Sequence, residues 1–535
     1  MFPRPDFVND LSAGLRRDLL AFLPELILCG TIVAMLLARL ATRMSRAHLS
    51  VFALFASAAA LVAAIAEWPA PGSSHGLIPG SGGASGFSGL LVFDLFGLYL
   101  RAFLLLFLCL SLWLSIVTGI PDREDSADYT TLLVGGTLGM MLMASADHLL
   151  TAMLAVEMAS VPSYALAGFL KGRRQGSEAA LKYVVYGASA AGVMLYGISL
   201  ITGAYGTGSF PAIAHAIGTS QGSLPLPVVI GVVCVLIGLG FKLAAVPFHF
   251  WCPDVFEGAA AEVGAFLSVA SKAAALALTA RFLFTLGAPM GEGQGEVTGS
   301  ALSLVWGVFA AVTATFGNLA ALAQTNMKRL LAYSTIAHAG FMMMALVPLG
   351  PGMVGPVLYY VSAYLLMNLG AFAVVALVRN QTGSEDLEAY RGLAWRSPGL
   401  AVGMAFFLLS LLGLPPLAGF AAKFQVFAAL YETGRTIGAS EPVIAWLYFG
   451  LLVVAALNTG ISAGYYLRVV RAMTLDDPVG QTGPLRVPAG GRLLVALLAA
   501  LVIVVGILWD PLTRAADRAA ESFRKSQQVV AEKRP

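Results

Sequence analysis

Charge is what this chain has least of. Of its 535 residues only 11% are Asp, Glu, Lys or Arg, against roughly 25% in an ordinary soluble domain, while 58% are hydrophobic. That balance excludes a soluble globular protein, and a net charge of +3 provides no basic surface for nucleic acid. Cysteine is also scarce. Cys29, Cys109, Cys234 and Cys252 stand singly, without the CxxC or CxxCH spacing that an iron-sulfur cluster, a zinc site or an attached haem needs. The histidines, His48, His75, His148, His215, His249 and His338, are equally dispersed. The expectation is a chain with no metal and no redox centre of its own. No small-residue cleavage site follows Arg16, Arg17 and Asp18, so the first apolar run reads as a retained helix rather than a leader.

What is present is a succession of apolar runs, near 19–38, 49–67, 95–119, 129–146, 148–170, 179–203, 226–252, 262–286, 301–324, 328–347, 353–379, 397–431, 443–470 and 492–512. Each is long enough to cross a hydrocarbon core of about 30 Å, and in lipid such runs must be helical. The fold class expected is therefore an all-α integral membrane protein of about 14 spans. The segment Pro69 to Gly86, rich in Gly and Ser, reads as a flexible loop, and the polar tail from Thr513 as a short surface helix that frays. Lys and Arg concentrate in the odd-numbered connections (Arg39, Arg43, Arg46, Arg123, Lys171, Arg173, Arg174, Lys328, Arg329, Arg379, Arg391, Arg396, Arg468, Arg471, Arg486 and Arg492), which places those connections in the cytoplasm and both termini outside. The run 226–252 carries Lys242 and Pro247, and the run 397–431 carries Pro415, Pro416 and Lys423. An odd number of spans separates the two runs. If the blocks 129–286 and 301–471 are duplicates they are inverted, and paired interrupted helices in inverted halves point to a transport path.

Four ionisable residues fall inside their runs: Glu157, Lys242, Lys272 and Lys423. A charge at a span centre costs about 2.5 to 3.5 kcal/mol, so four together approach or exceed about 10 kcal/mol unless paired or hydrated. Snorkelling does not explain Lys242, which follows about 15 apolar residues, roughly 22 Å of helix. Functional placement and a purely structural ion pair are the two readings. A buried amine has an adjustable proton affinity, weakened by desolvation and strengthened by a nearby carboxylate, so Glu157 and Lys242 are expected to load and unload a proton as a pair. Pro247 frees the carbonyl of Leu243, and Pro415 with Pro416 does the same in the second run, making room for water beside the amines or simply a packing kink. Lys182 lies four residues beyond Glu178 and reads either as snorkelling or as functional. His249, two turns after Lys242 on the same helix face, reads as a relay or a structural histidine, and His338 as a relay. Lys328 and Arg329 read as anchors at the cytoplasmic end, and Glu25, Glu67 and Asp94 as interfacial.

The strings VEMASVPSYALAGF, GLGFKLAAVPFHFWCPDVFEGA, NLAALAQTNMKRLLAYSTIAHAGF and LPPLAGFAAKF resemble the antiporter-like membrane subunits of respiratory complex I, the bacterial NADH-quinone oxidoreductase. The resemblance runs from about Pro24 to about Pro511 with the motifs in order. It implies three N-terminal helices over 1–128, an inverted five-helix repeat over 129–286, a second over 301–471, and a last span with a polar tail over 492–535, helices 7 and 12 being broken. It assigns Glu157, Lys182, Lys242, Lys272 and Lys423 to a midplane proton path. Lys423 and the short tail separate the chain from sister subunits that carry a glutamate there or end in a long lateral helix. The implied function is proton translocation driven by NADH-to-quinone electron transfer elsewhere in a complex. FMN, iron-sulfur clusters and quinone would sit in other subunits, peripheral and sister membrane subunits would be its partners, and the bacterial inner membrane its location. The alternative is a subunit of a multi-subunit Na+/H+ antiporter. One departure stands out. Where relatives often read GAPxPV, this chain reads Gly258-Ala259-Ala260-Ala261-Glu262-Val263, losing both prolines and gaining a carboxylate.

Overall fold

The computed structural model describes residues 14–41, 46–69, 84–120, 125–170, 172, 174–219, 224–287, 295–348, 353–438, 442–478 and 483–532. Its helices are α1 (Leu23–Ala41), α2 (Arg46–Ala66), α3 (Leu95–Thr118), α4 (Ser126–Ser145), α5 (Leu149–Ala167), α6 (Arg174–Tyr205), α7 (Phe210–Thr219), α8 (Leu226–Leu243), α9 (Trp251–Gly258), α10 (Ala261–Gly287), α11 (Gly295–Leu322), α12 (Met327–Ala345), α13 (Val354–Thr382), α14 (Pro398–Leu412), α15 (Ala418–Ile437), α16 (Pro442–Thr474), α17 (Ala489–Ile507) and α18 (Asp510–Glu532). Among the described residues ten helices are long and apolar enough to cross a membrane, and a further candidate is bent by 71° between Gly14–Ala21 and Leu23–Arg39. The expected spans 129–146 and 328–347 coincide with α4 and α12.

Two expected spans are not single helices. The run 226–252 divides into α8 and α9, and the run 397–431 into α14 and α15. Pro247 and Pro416 interrupt them, since neither can donate to a carbonyl one turn back. Most of the loop expected over Pro69 to Gly86 lies outside the described residues, but Ala84–Gly86 pairs antiparallel with Leu91–Phe93 in a two-stranded hairpin. Lys171 and Arg173 of the charged connections also lie outside the described residues, as do Arg43 and Arg123. The polar tail is a 23-residue helix rather than a short one, with Ala516, Ala519, Ala520 and Phe523 buried and Arg514, Arg518 and Arg524 on the other side.

The centre is held by α10, buried on every side through its apolar window, and by α13, almost as enclosed, packed against each other. Uniformly apolar helices of this kind belong inside a bundle. Around them, α4 packs closely on α5 and α11 on α12. A Cβ added at Gly139 would lie 2.5 Å from the backbone nitrogen of Ala159, and one at Gly317 would lie 2.5 Å from that of Ala337. Each of these two helix pairs is thus joined backbone to backbone through a glycine, as membrane helices without a hydrophobic drive to associate require.

Candidate functional site

Lys242 is the penultimate residue of α8, and its depth comes from the helix ending there. Ala244 takes a left-handed conformation (φ 54°), and the chain turns through Ala245 to Phe250 before α9 begins. The helical continuation expected to carry His249 on the Lys242 face does not exist, so that alignment is corrected. His249 sits within the break, buried, with the Phe316 ring 4.5 Å away and Nδ1 without a hydrogen-bond partner.

Both freed carbonyls are occupied by lysines rather than by open space. Lys272, from the middle of α10, donates to the Leu243 carbonyl at 2.6 Å, four residues before Pro247. Lys423, one and a half turns into α15, donates to the Leu412 carbonyl at 2.9 Å, four residues before Pro416. The Leu243 carbonyl, expected to be free, thus has the Lys272 amine as a donor. A cation suits it, because the carbonyl end of a helix carries partial negative charge. Gly413, at φ +92°, ends α14, and a Cβ there would lie 3.1 Å from Lys423 Cδ, so a larger residue would be strained and would press on the lysine side chain. The Lys423 ammonium also lies 4.7 Å from the centre of the Phe341 ring.

Between these two lysines stands His338, buried in α12. Its Nδ1 is 2.8 Å from the Tyr360 hydroxyl and its Nε2 3.2 Å from that of Tyr466, which in turn lies 2.5 Å from Ser334 Oγ. The charges of Lys272 and Lys423 both reach this ring. Among Lys182, Lys242, Lys272 and Lys423, Lys242 alone has no hydrogen-bond partner. Glu157, partly buried on α5, is near enough for its charge to act on Lys242, yet the two are neither hydrogen-bonded nor within salt-bridge distance.

Lys182 lines a polar cavity near the start of α6. Its amine lies 2.9 Å from Glu178 and 2.7 Å from Asp254, Arg329 reaches Asp254 at 2.8 Å and Glu257 at 2.6 Å, and together with Gln175, Ala179 and Gly258 they line a polar cavity of about 250 Å³. Arg329 thus lines this cavity, ion-paired with two acids of α9. Lys328 is corrected further: it is 1% exposed, paired with Glu385 at 2.8 Å and bonded to the Ala259 carbonyl at 2.6 Å. Glu262, the departure in the motif, is buried in the first turn of α10, where a carboxylate complements the helix dipole, and Arg379 of α13 approaches it at 3.4 Å. The turn survives without its prolines because Ala259 is extended (φ −74°, ψ 165°) and α10 starts at Ala261. Glu25, Glu67 and Asp94 stand at span ends, and all three are buried within the protein, at 0%, 4% and 1% exposure. Asp94 accepts two bonds from Arg281, at 3.0 and 2.8 Å.

Asp254, Glu257, Tyr360 and Tyr466 are not among the residues the sequence reading selects. Asp254 and Glu257 stand in the stretch WCPDVFEG directly after the break, a position that marks them, whereas nothing in the sequence ties Tyr360 or Tyr466 to His338. Among the described residues no group of three or more His, Cys, Asp or Glu side chains converges as a metal site, and the four cysteines are unpaired.

A multi-pass membrane protein with two broken helices and a buried succession of lysines is a cation-translocating type of chain. The comparisons agree. The family described as NADH:quinone oxidoreductase/Mrp antiporter, transmembrane, matches residues 146–445, and the chain belongs to it. The chain is 41% identical over 531 residues to NADH-quinone oxidoreductase subunit N of an Anaeromyxobacter species, covering 95% of this chain and 98% of that one. It superposes on a chain of respiratory complex I from Thermus thermophilus with bound aureothin at a TM-score of 0.72 and 31% identity, covering 92% and 98% of the two chains. An Mrp complex from a Dietzia species shares the fold at a TM-score of 0.79 with 19% identity, covering 96% of this chain and 99% of that one.

Proposed function

We propose that this chain is the N-type proton-translocating membrane subunit of a bacterial NADH-quinone oxidoreductase, and that protons pass from the Lys182–Asp254 mouth to the lysines at the two helix breaks. Electron transfer from NADH to quinone, with its FMN and iron-sulfur clusters, takes place in other subunits of the complex. This chain contributes no redox step. The observation that carries the reading is the repeated geometry at the breaks: in each half a proline frees a backbone carbonyl at depth, and a buried lysine amine occupies it. An amine held by one neutral acceptor is secured in position while its proton remains exchangeable with the next group along, here through His338 and its two tyrosines. The two halves are read as inverted repeats, 129–286 and 301–471, with both termini on the outer face of the inner membrane. The glycine-joined pairs α4–α5 and α11–α12 support that division.

Lys423→Ala tests the path. In inverted membrane vesicles the variant complex is expected to assemble, because Ala is tolerated in a lipid-embedded helix, while dye-reported proton pumping driven by NADH falls roughly tenfold or more, as for loss of a positioned proton carrier. Unchanged pumping by an assembled Lys423→Ala complex counts decisively against the assignment. Identity of 41% to a subunit N, against 19% to the Mrp chain, favours complex I over a Na+/H+ antiporter assembly. Co-purification of the tagged chain with NADH-oxidising flavoprotein activity distinguishes them.

A further inference from the structure

A second set of buried charges lies well away from the lysines. α1 begins, α2 ends and α3 begins on the same membrane face, and consecutive helices then alternate, so this face is opposite the Lys182 mouth near the start of α6. Here Glu25 of α1, Glu67 just after α2 and Arg101 of α3 are 0%, 4% and 1% exposed. Arg101 Nε is 2.8 Å from Glu25 Oε1, an ion pair by distance that misses the direction of a hydrogen bond. Its Nη1 donates to the Ala21 carbonyl at 3.0 Å, and its guanidinium lies 4.9 Å from the Phe93 ring centre. Glu67 sits within the field of both Arg101 and Glu25, and Cys29, one turn on from Glu25, faces the same carboxylate. None of the four carboxylate oxygens of Glu25 and Glu67 has a hydrogen-bond partner, although all four are buried.

The charge does not balance. Two ionised carboxylates against one guanidinium leave one excess negative charge among buried oxygens, and a buried unpaired charge is among the costliest arrangements a fold can hold. One proton removes the excess and lets one carboxyl donate to a neighbouring oxygen. Carboxylates that share a site and a single counter-charge do not both ionise. A metal ion fits less well, since no third acidic, histidine or cysteine ligand converges among the described residues.

We propose that Glu25, Glu67 and Arg101 form a proton-binding site in which the two carboxylates share one proton, on the membrane face opposite the Lys182 mouth. The site does not depend on the lysine path, and its test does not depend on pumping. Infrared difference spectra of the assembled complex in membranes, recorded across steps in pH, report protonated carboxyl groups through their C=O stretch and its shift in D2O. Glu25→Gln and Glu67→Gln each remove one negative charge and leave the remaining carboxylate balanced by Arg101. The wild type is expected to show a carboxylic-acid band that is absent from both variants. Persistence of that band in either variant overturns the proposal. Should a glutamine variant fail to assemble, Glu67→Leu removes the same charge with an apolar side chain, and the same loss is required of it.

Discussion

Among the four lysines Lys182, Lys242, Lys272 and Lys423, Lys242 is the one whose amine has no hydrogen-bond partner, and Glu157 is the carboxylate whose charge acts on it. Lys182, Lys272 and Lys423 each have a fixed acceptor, whereas the Lys242 amine and the Glu157 carboxylate act on each other through space. A pair held slightly apart closes or opens with a change of side-chain rotamer, which is what a loading step requires. Glu157→Gln is expected to slow coupled turnover by removing the field that favours a charged amine. With Lys242→Met already in place, the further effect of Glu157→Gln should shrink, giving a coupling energy of about 1 to 3 kcal/mol in a double-mutant cycle on pumping rates. Losses that multiply as independent events would mean that Lys242 answers to a different partner. At this scale the sequence was informative wherever a charge interrupted an apolar run, because the energetic cost of that placement is visible without any structure. It was uninformative for Lys328. A basic pair just after the cap residue Asn326 looks like an interfacial anchor, and its burial depends on Glu385, which is distant in the chain. On this geometry Lys328→Ala leaves the half-buried Glu385 carboxylate without its counter-charge and is no longer a neutral substitution.

The helices are fastened at their ends by buried arginines as well as by apolar packing. Arg281, near the end of α10, donates to both oxygens of Asp94, to the Ala144 carbonyl at the end of α4, and lies over the rings of Phe96 and of Phe523 from α18. Four helices therefore meet at one guanidinium with 0% exposure of its side chain. Asp94 also caps α3 by accepting from the Gly97 amide at 2.7 Å. Arg281→Met should destabilise the detergent-solubilised chain by about 3 to 5 kcal/mol, since it removes the guanidinium that neutralises the buried Asp94 carboxylate. Adding Asp94→Asn should recover most of that loss, because the amide retains the cap without the charge. Thermal unfolding of the single and double variants measures both, and a double variant no more stable than Arg281→Met would show that packing around the guanidinium, not the charge, is what matters. The spans and the two breaks were legible in the sequence from apolar length and proline position. Arg101 and Arg281 also interrupt apolar runs, but the acids that neutralise them come from other helices, and no local pattern links the partners.

Across the whole molecule the polar residues reach towards the sides of the bundle rather than staying at its centre. Lys272 and His338 are enclosed by α10, α12 and α13, but Lys423 adjoins Phe424, which is 48% exposed, and Glu157 sits on a helix whose Leu154 and Val161 are 62% and 61% exposed. A carboxylate so close to a lipid-facing surface is costly on its own, and the cost falls if another protein surface covers it. The related assemblies are multi-subunit complexes, which fits a chain whose polar axis continues beyond its own boundary. The α5 flank is therefore expected to be an interface with a sister membrane subunit. Leu154→Trp separates the two possible coverings: lipid accommodates a larger apolar side chain, whereas a packed protein interface does not. The variant chain should reach the membrane at normal levels and fail to co-purify with the rest of the complex on a native gel. Full assembly of a Leu154→Trp complex would place lipid against α5, and the neutralising partner of Glu157 would then have to be Lys242 alone.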